Sequence, residues 1–395
     1  KIAVVDPTGK VLDTTVVFPT APQNRVEEAM RTIEALIRKH HVDVISLGNG
    51  TASRESEQII ADYIKKDHLP VQYVIVNEAG ASVYSASALA TEEFPNFDVG
   101  QRSATSMARR LQDPMAELVK IDPKSIGVGQ YQHDMNQTKL SEQLTSVVED
   151  SVNSVGVDVN TASFALLSYV SGINKTIARN IVTYREEKGA FTSRKELLKV
   201  AKLGPKAYEQ CAGFLRIRNG KEALDNTAVH PESYAVAKAV LASMGYAEED
   251  LQDGKNAQLA AKLQSAKASI PALAEQLQVG VYTLEDIVQE LIKPGRDPRE
   301  DVPAPVLRSD VLDFDDLKPE MELQGTVRNI VDFGAFVDIG VHQDGLVHIS
   351  QLADRFVKHP LDVVKVGDIV RVRVLSVDKA RKKISLTMKG VDQHH

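Results

Sequence analysis

Two phenylalanines three residues apart, Phe333 and Phe336, stand across a Gly-Ala turn in the run Gly-Thr-Val-Arg-Asn-Ile-Val-Asp-Phe-Gly-Ala-Phe-Val-Asp-Ile-Gly that begins at Gly325. Exposed aromatic faces suit the stacking of unpaired bases, because every base offers a π-face whatever its identity. Further along, Ile369-Val370-Arg371-Val372-Arg373-Val374 alternates, so Arg371 and Arg373 share a face opposite the valines. Arg381-Lys382-Lys383 adds a compact cation cluster. Aromatic rings beside cations match one strand of nucleic acid, stacked through its bases and neutralised along its phosphates.

A second chemistry lies in the middle of the chain. Ser171-Gly172-Ile173-Asn174-Lys175-Thr176 and Leu203-Gly204-Pro205-Lys206 each place a glycine-containing turn between two short helical stretches. Such a turn aims the N–H groups of the following helix at a phosphate, with a lysine alongside. Gly172, Asn174, Lys175, Thr176, Gly204 and Lys206 are therefore candidate contacts to a nucleic-acid backbone. Residues 171–220 hold eleven Lys/Arg against four Asp/Glu, although the whole chain carries a net charge of −7. Local fields, not the total, decide where a polyanion docks.

Carboxylates at strand ends are the third possibility. Glu78 follows the apolar run Val71–Val76, whereas Asp6 sits in the turn Asp6-Pro7-Thr8-Gly9 and reads as a turn residue. Two-metal phosphoryl displacement needs several carboxylates around the ions. The helical stretch Arg102-Ser103-Ala104-Thr105-Ser106-Met107-Ala108-Arg109-Arg110 supplies only cations and small or apolar residues.

These residues need elements to position them. Ile2–Val5 and Val11–Phe18 read as strands, and Asn24 as the cap of a helix through about Lys39. The strand Val42–Leu47, a helix from Ser53 to Lys66, the strand Val71–Val76 and an Ala/Ser-rich helix follow, so the order implies a mixed sheet flanked by helices. All-helical sequence runs from about Lys139 to Ile292, a Pro-rich charged linker follows, and a barrel begins near Pro319. At 395 residues, about two to four domains are expected. The longest apolar runs are too short for a membrane span. A single cysteine, Cys211, suits a reducing cytoplasm and reads as a small buried hydrophobe. The first residue is Lys1, and the chain reads as a piece of something longer, without a secretory signal.

Residues 319–390 resemble the S-one domain, an OB-fold RNA-binding module. That resemblance implies that bases stack on Phe333, Phe336 and His348, with polar help near Asp378 and a following basic residue, which is Arg381 or Lys383. The hairpins resemble the tandem helix-hairpin-helix domain, through Asp158-Val159-Asn160-Thr161-Ala162-Ser163 and Tyr184-Arg185-Glu186-Glu187-Lys188-Gly189-Ala190-Phe191. Asn174 stands where a second glycine is usual and Pro205 follows Gly204, and each departure weakens phosphate binding at its own hairpin. The N-terminal order resembles the YqgF branch of RNase H-like domains, relatives of the RuvC resolvase. That likeness places the first catalytic Asp on a strand this sequence lacks and matches Glu78 to the second carboxylate.

Arg109-Arg110-Leu111-Gln112-Asp113-Pro114, Leu118-Val119-Lys120-Ile121-Asp122-Pro123-Lys124 and Ile126-Gly127-Val128-Gly129-Gln130-Tyr131-Gln132-His133-Asp134, with the domain order, resemble the Tex family of bacterial transcription accessory proteins. The Gly127–His133 loop reads as packing between the first domain and the helical middle. The expected architecture is multidomain: an α/β RNase H-like mixed sheet (1–115), a connecting helical segment (116–157), an all-α tandem helix-hairpin-helix (158–220), a further helical domain (221–293), an acidic Pro-rich linker (294–318) and the C-terminal OB-fold barrel (319–390). The expected function is nucleic-acid binding in transcription without catalysis, metal or other cofactor. The partners are single-stranded RNA or DNA, duplex DNA at the hairpins, and RNA polymerase or its transcription machinery, with no membrane. The rival readings are a metal-dependent structure-specific nuclease using Glu78 and a protein scaffold whose barrel alone touches nucleic acid.

Overall fold

Alternating valines, short Gly/Pro turns and amphipathic helices give three kinds of structure along one chain. The computed structural model describes residues 1–50, 53–129, 131–218, 220–251, 256–266, 270–295, 297, 299, 314, 317–341, 343–379 and 381–393. Strands β1 (Ile2–Val5) and β2 (Val11–Thr15) pair antiparallel around the Asp6 turn, and β3 (Val44–Gly48) and β4 (Gln72–Val76) pair parallel. Both senses of pairing are present, in two ladders that share no strand. Asp6 accepts from the N–H groups of Thr8 and Lys10, which accounts for it as a turn residue.

The helix Val26–His40 buries Ala29, Met30 and Ile37, and Ile37 joins Ile60, Ala61, Ile64, Leu69, Val71 and Tyr73 in one core. Asn24 does not cap it. A φ of 48° puts Asn24 in the preceding turn, and Arg25 holds the cap position without a side-chain bond. The Ala/Ser-rich segment also departs from a simple strand–helix alternation. Its Tyr84 and Ala90 form a small core with Ile121, and Lys120 bonds Glu93 and Glu117 at 3.1 and 2.8 Å. Residues 79–99 therefore cluster with the helical middle, whereas residues 1–78 and 100–111 cluster in the unit that contains the barrel.

The helical middle has two cores. One runs from Val152 to Ile217, with the short parallel pair β5 (Val157–Asp158) and β6 (Leu215–Arg216) closing its ends. The other spans Ala223 to Leu291. Cys211 lies in the first core at 0% exposure, and burial pushes its thiol up to about 12. A thiol held that far above neutral pH is almost never thiolate. Iodoacetamide at neutral pH is therefore expected to label the native chain negligibly and the urea-unfolded chain readily. Native labelling at a free-thiol rate would contradict the packing. Most of the expected linker, 294–318, lies outside the described residues, but Arg299 is tied to Asp113 at 2.7 Å and Asp297 at 2.6 Å. No helix among the described residues is long and apolar enough to cross a membrane.

Strands β7 (Glu322–Val331), β8 (Gly334–Asp338), β9 (Asp344–His348), β10 (Ile369–Asp378) and β11 (Lys383–Thr387) form a closed barrel in the order β10-β11-β9-β8-β7. Closure removes free strand edges. Inward Val327, Ala335, Val337, Val347, Val370, Val372, Val374, Ile384 and Leu386 fill it, as alternation requires.

Candidate nucleic-acid interface

The β7–β8 hairpin sets the aromatic pair. Gly334 approaches β9 so closely that a Cβ there would lie 2.2 Å from the Val347 carbonyl oxygen, and Ala335 is fully buried. The Gly-Ala between the phenylalanines is thus dictated by strand packing. It leaves Phe333 in the turn and Phe336 on the outward face. Neither ring belongs to the barrel core, and Phe333 is 51% exposed. The rings stand edge to face, 6.4 Å between centroids and 83° between planes. Two faces at right angles can each take a base but cannot share one flat base.

His348 pairs with Gly334 across β8 and β9, which sets it beside the phenylalanines. Its Nδ1 accepts from the Ser350 N–H at 3.3 Å and lies 2.9 Å from Ser350 Oγ. With Nδ1 accepting, the neutral ring carries its proton on Nε2, the nitrogen left for a ligand. Leu346 and Phe336 are cross-strand partners on this same outward face. Arg328, at the β7 bulge, is held by Asp338 at 2.7 Å, so its charge is locally neutralised. Sequence reasoning missed Arg328, because the bulge between Val327 and Asn329 breaks the alternation used to sort faces. Burial, and next the neighbouring Asp338 charge, hold the Asp344 carboxyl above its ordinary value.

The cations divide into two groups. Asp378 pairs with Lys383, and its carboxylate accepts the Arg381 N–H at 3.0 Å, so Arg381, Lys382 and Lys383 form the β10–β11 hairpin. Because β9 and β11 run parallel with Leu346 opposite Ser385, this cluster lies toward the start of β9 and His348 at its end. The separation is about 13 Å by strand rise. A strand laid along β9 spans both. Arg371 and Arg373 are half-buried on the face opposite the valines, as alternation implies, but they face β7. Arg373 bonds Glu322 at 2.8 Å and Arg371 lies 3.7 Å from it, while β11 separates both from β9. The Glu322 partner raises the Arg373 guanidinium further. Their charge is locally neutralised, and the fold does not bring them to the phenylalanines.

In the hairpins, Asn174 caps the helix Lys175–Lys188 by accepting the Ile177 N–H at 2.9 Å. Lys175 and Thr176 occupy the first turn, whose N–H groups have no partner within a helix. Gly172 has a φ of +78° and packs on the next hairpin, where a Cβ would meet Gln210 Cβ at 2.7 Å. Gly204 differs. It is extended, with open space where a Cβ would go, and Lys202 takes the left-handed position at φ 67°. Gly204 and Lys206 face outward at the start of the helix Pro205–Cys211.

The basic count of this region overstates its field. Arg179 pairs with Glu92 at 2.8 Å and lies over the Phe164 ring, and Arg216 is half-buried, donates to the Gly213 carbonyl and is lowered to about 10 by desolvation. Arg194 is 1% exposed and serves the core. The exposed cations left for a phosphate include Lys175, Lys188, Lys195, Lys199, Lys202 and Lys206.

At the end of β4, the Glu78 N–H donates to Asn49 Oδ1, and its carboxylate covers Gly50. The helix Val99–Gln112 brings Arg110, whose Nη1 donates to the carbonyl of Asn77, the residue before Glu78. Arg109 donates to the Gly9 carbonyl. These residues do not fit a two-metal centre: among the described residues no three His, Cys, Asp or Glu stand close enough to hold an ion. His133 is exposed, in a loop braced by Gln132, which donates to the Lys124 carbonyl and accepts from Val128.

Comparison with known proteins matches residues 1–112 to the Tex protein YqgF-like domain, 152–216 to a helix-hairpin-helix motif, 222–299 to an HHH domain and 316–389 to the S1 RNA binding domain. The chain is 56% identical to the uncharacterized protein YdcI of Bacillus subtilis, over 98% of its own length and 53% of that protein. It is 52% identical to the transcriptional accessory protein Tex of Neisseria gonorrhoeae, over 100% of its length and 50% of the relative. It is also 38% identical to the human S1 RNA-binding domain-containing protein 1, over 98% of its length and 44% of the relative. The chain spans about half the length of the curated relatives it matches.

Proposed function

The chain belongs to the Tex family of transcription accessory proteins, and on that premise we propose that it grips a single nucleic-acid strand on the barrel and a phosphate backbone on the hairpins, without cutting either. The observation that carries this reading is the aromatic face itself: Phe333 and Phe336 stand outside the core, at right angles, beside His348. Side chains that contribute so little to packing are available to bases. The single-strand path runs along β9 from the Arg381–Lys383 hairpin to Phe333. Arg371 and Arg373, held by Glu322, contribute less than the hairpin cations. In the hairpins, Gly172, Asn174, Lys175 and Thr176 offer one phosphate site, and Gly204 with Lys206 offers the other. The likeness to the transcriptional accessory protein Tex of Neisseria gonorrhoeae supports a working place beside the transcription machinery.

A salt-titrated panel of single-stranded RNA, single-stranded DNA and duplex tests the division of labour. Single-strand affinity falls with a log–log slope of about −0.7 per phosphate contacted, and duplex affinity with about −0.9. Changing Lys175, Lys202 and Lys206 together to Gln lowers duplex affinity and shallows that slope by about one unit or more. It leaves single-strand affinity at the barrel in place. Unchanged duplex binding in this variant removes the hairpins from the interface.

The non-catalytic part rests on the Arg110 guanidinium, bonded to the carbonyl of the residue before Glu78, a cation where a metal site needs anions. Prolonged incubation with Mg²⁺ leaves branched and single-stranded substrates intact. Cleavage that disappears in Glu78→Ala establishes a nuclease instead.

A further inference from the structure

The loop from Ile349 to Asp368 connects β9 to β10 and contains the most exposed large apolar side chain among the described residues, Phe356, at 93%. A loose loop would account for such exposure, but this one is tightly held. Leu352, Val357 and Val364 are buried in the barrel core, and Pro360 is buried between them. Phe356 is thus turned outward by a segment whose next residue is anchored inside. Arg355 and Lys358 flank it, both exposed.

The loop is also stitched to the aromatic hairpin at both ends. At its start the Ile349 N–H donates to the Phe333 carbonyl at 2.8 Å. At its finish the Gly367 N–H donates to the Val327 carbonyl, and the Val327 N–H to the Asp368 carbonyl, each at 2.8 Å. Strand direction agrees. His348, the last residue of β9, pairs with Gly334, the first of β8, so the loop leaves the barrel at the end that carries Phe333.

We propose that Phe356, with Arg355 and Lys358, is a further base-stacking position that carries the single-strand path past Phe333 and His348 onto the β9–β10 loop. The inference rests on the single-strand reading of the Phe333 face and extends its length. Barrels of this class cover about 4–16 nucleotides, more than two rings and one imidazole can stack. A phenylalanine between two cations supplies what the next base needs, a π-face and a nearby charge for its phosphate. A protein partner would instead use the apolar surface of Phe356 and Leu361 with no demand for the cations.

The test uses the whole chain and fluorescence anisotropy with two oligouridylates, one of about four and one of about twelve nucleotides, within the span such barrels cover. Phe356→Ala weakens the longer probe by about fivefold to a hundredfold and leaves the shorter one unchanged. Phe356→Tyr keeps the longer-probe affinity, since a phenol stacks as a phenyl does. If Phe356→Ala leaves both probes at parental affinity, the proposal fails and the loop belongs to a protein surface. Equal weakening of both also overturns it, because the loop then acts on the Phe333 face and not beyond it. Failure of the underlying reading is separately visible: Phe333→Ala with Phe336→Ala would leave the short probe bound as before, which overturns the extension too.

Discussion

Replacing Phe333 and Phe336 together with alanine lowers single-strand affinity by about 2–6 kcal/mol, at least about twentyfold in Kd, while the fold persists. The size follows from two stacked bases at about 1–3 kcal/mol each. Persistence of the fold follows from where the rings are. Neither contributes to the barrel core, and the closest interaction lost is their own edge-to-face contact, worth about 0.5–1.5 kcal/mol. Gly334 and Ala335, which do hold β8 against β9, remain. The measurement is oligonucleotide binding with circular dichroism and a thermal melt on the same preparation. Parental affinity in a folded double variant would rule out base stacking at this face.

The second large effect concerns stability. Arg194 is buried among backbone carbonyls: Nε donates to Leu215 at 2.9 Å, Nη1 to Val229 at 2.8 Å and to the Tyr234 hydroxyl at 2.7 Å, and Nη2 to Thr227. Its own N–H donates to Asp225, whose other oxygen accepts from Tyr234. One guanidinium thus joins the helix-hairpin-helix core to the helical region after it. Arg194→Met fills much of the space but strands these acceptors, and losing one partner of a buried charged network costs about 3–5 kcal/mol. Arg194→Lys is expected to fail nearly as badly, because an ammonium cannot reach carbonyls in a planar fork. Urea unfolding of the whole chain measures the loss. Hairpin-dependent duplex binding falls with it, and single-strand binding at the barrel does not. A change below about 1 kcal/mol in both variants would show that the network is dispensable.

Much of this architecture is legible in the sequence because its signals are local. Val370, Val372 and Val374 alternate with arginines, and the strand follows. Asp6-Pro7-Thr8-Gly9 marks a hairpin by turn chemistry that needs few distant partners, whereas the Gly-Ala between the phenylalanines reads as a turn but lies in β8, fixed by its approach to β9. Local signals misled where two residues compete for one role. Asn24 is a good cap by type, yet it occupies a left-handed turn. Gly172 and Gly204 look equivalent in their motifs, but the first is required by packing on Gln210 and the second is open.

Residue types and their order by themselves determined that this chain holds an aromatic, cation-bearing barrel, paired helical hairpins and an N-terminal α/β region poor in clustered carboxylates. Those properties depend on periodicity and spacing, which are written along the chain. Only the tertiary structure decided which charges are available to a ligand. Arg371 and Arg373 turn to Glu322, Arg194 and Arg216 serve the interior, and Arg179 pairs with Glu92. The reason is physical: a cation's partner is the nearest acceptor in space, and strand register and helix packing set that distance. The same register places Phe333, Phe336 and His348 together at one end of the barrel, where the sequence shows only their types.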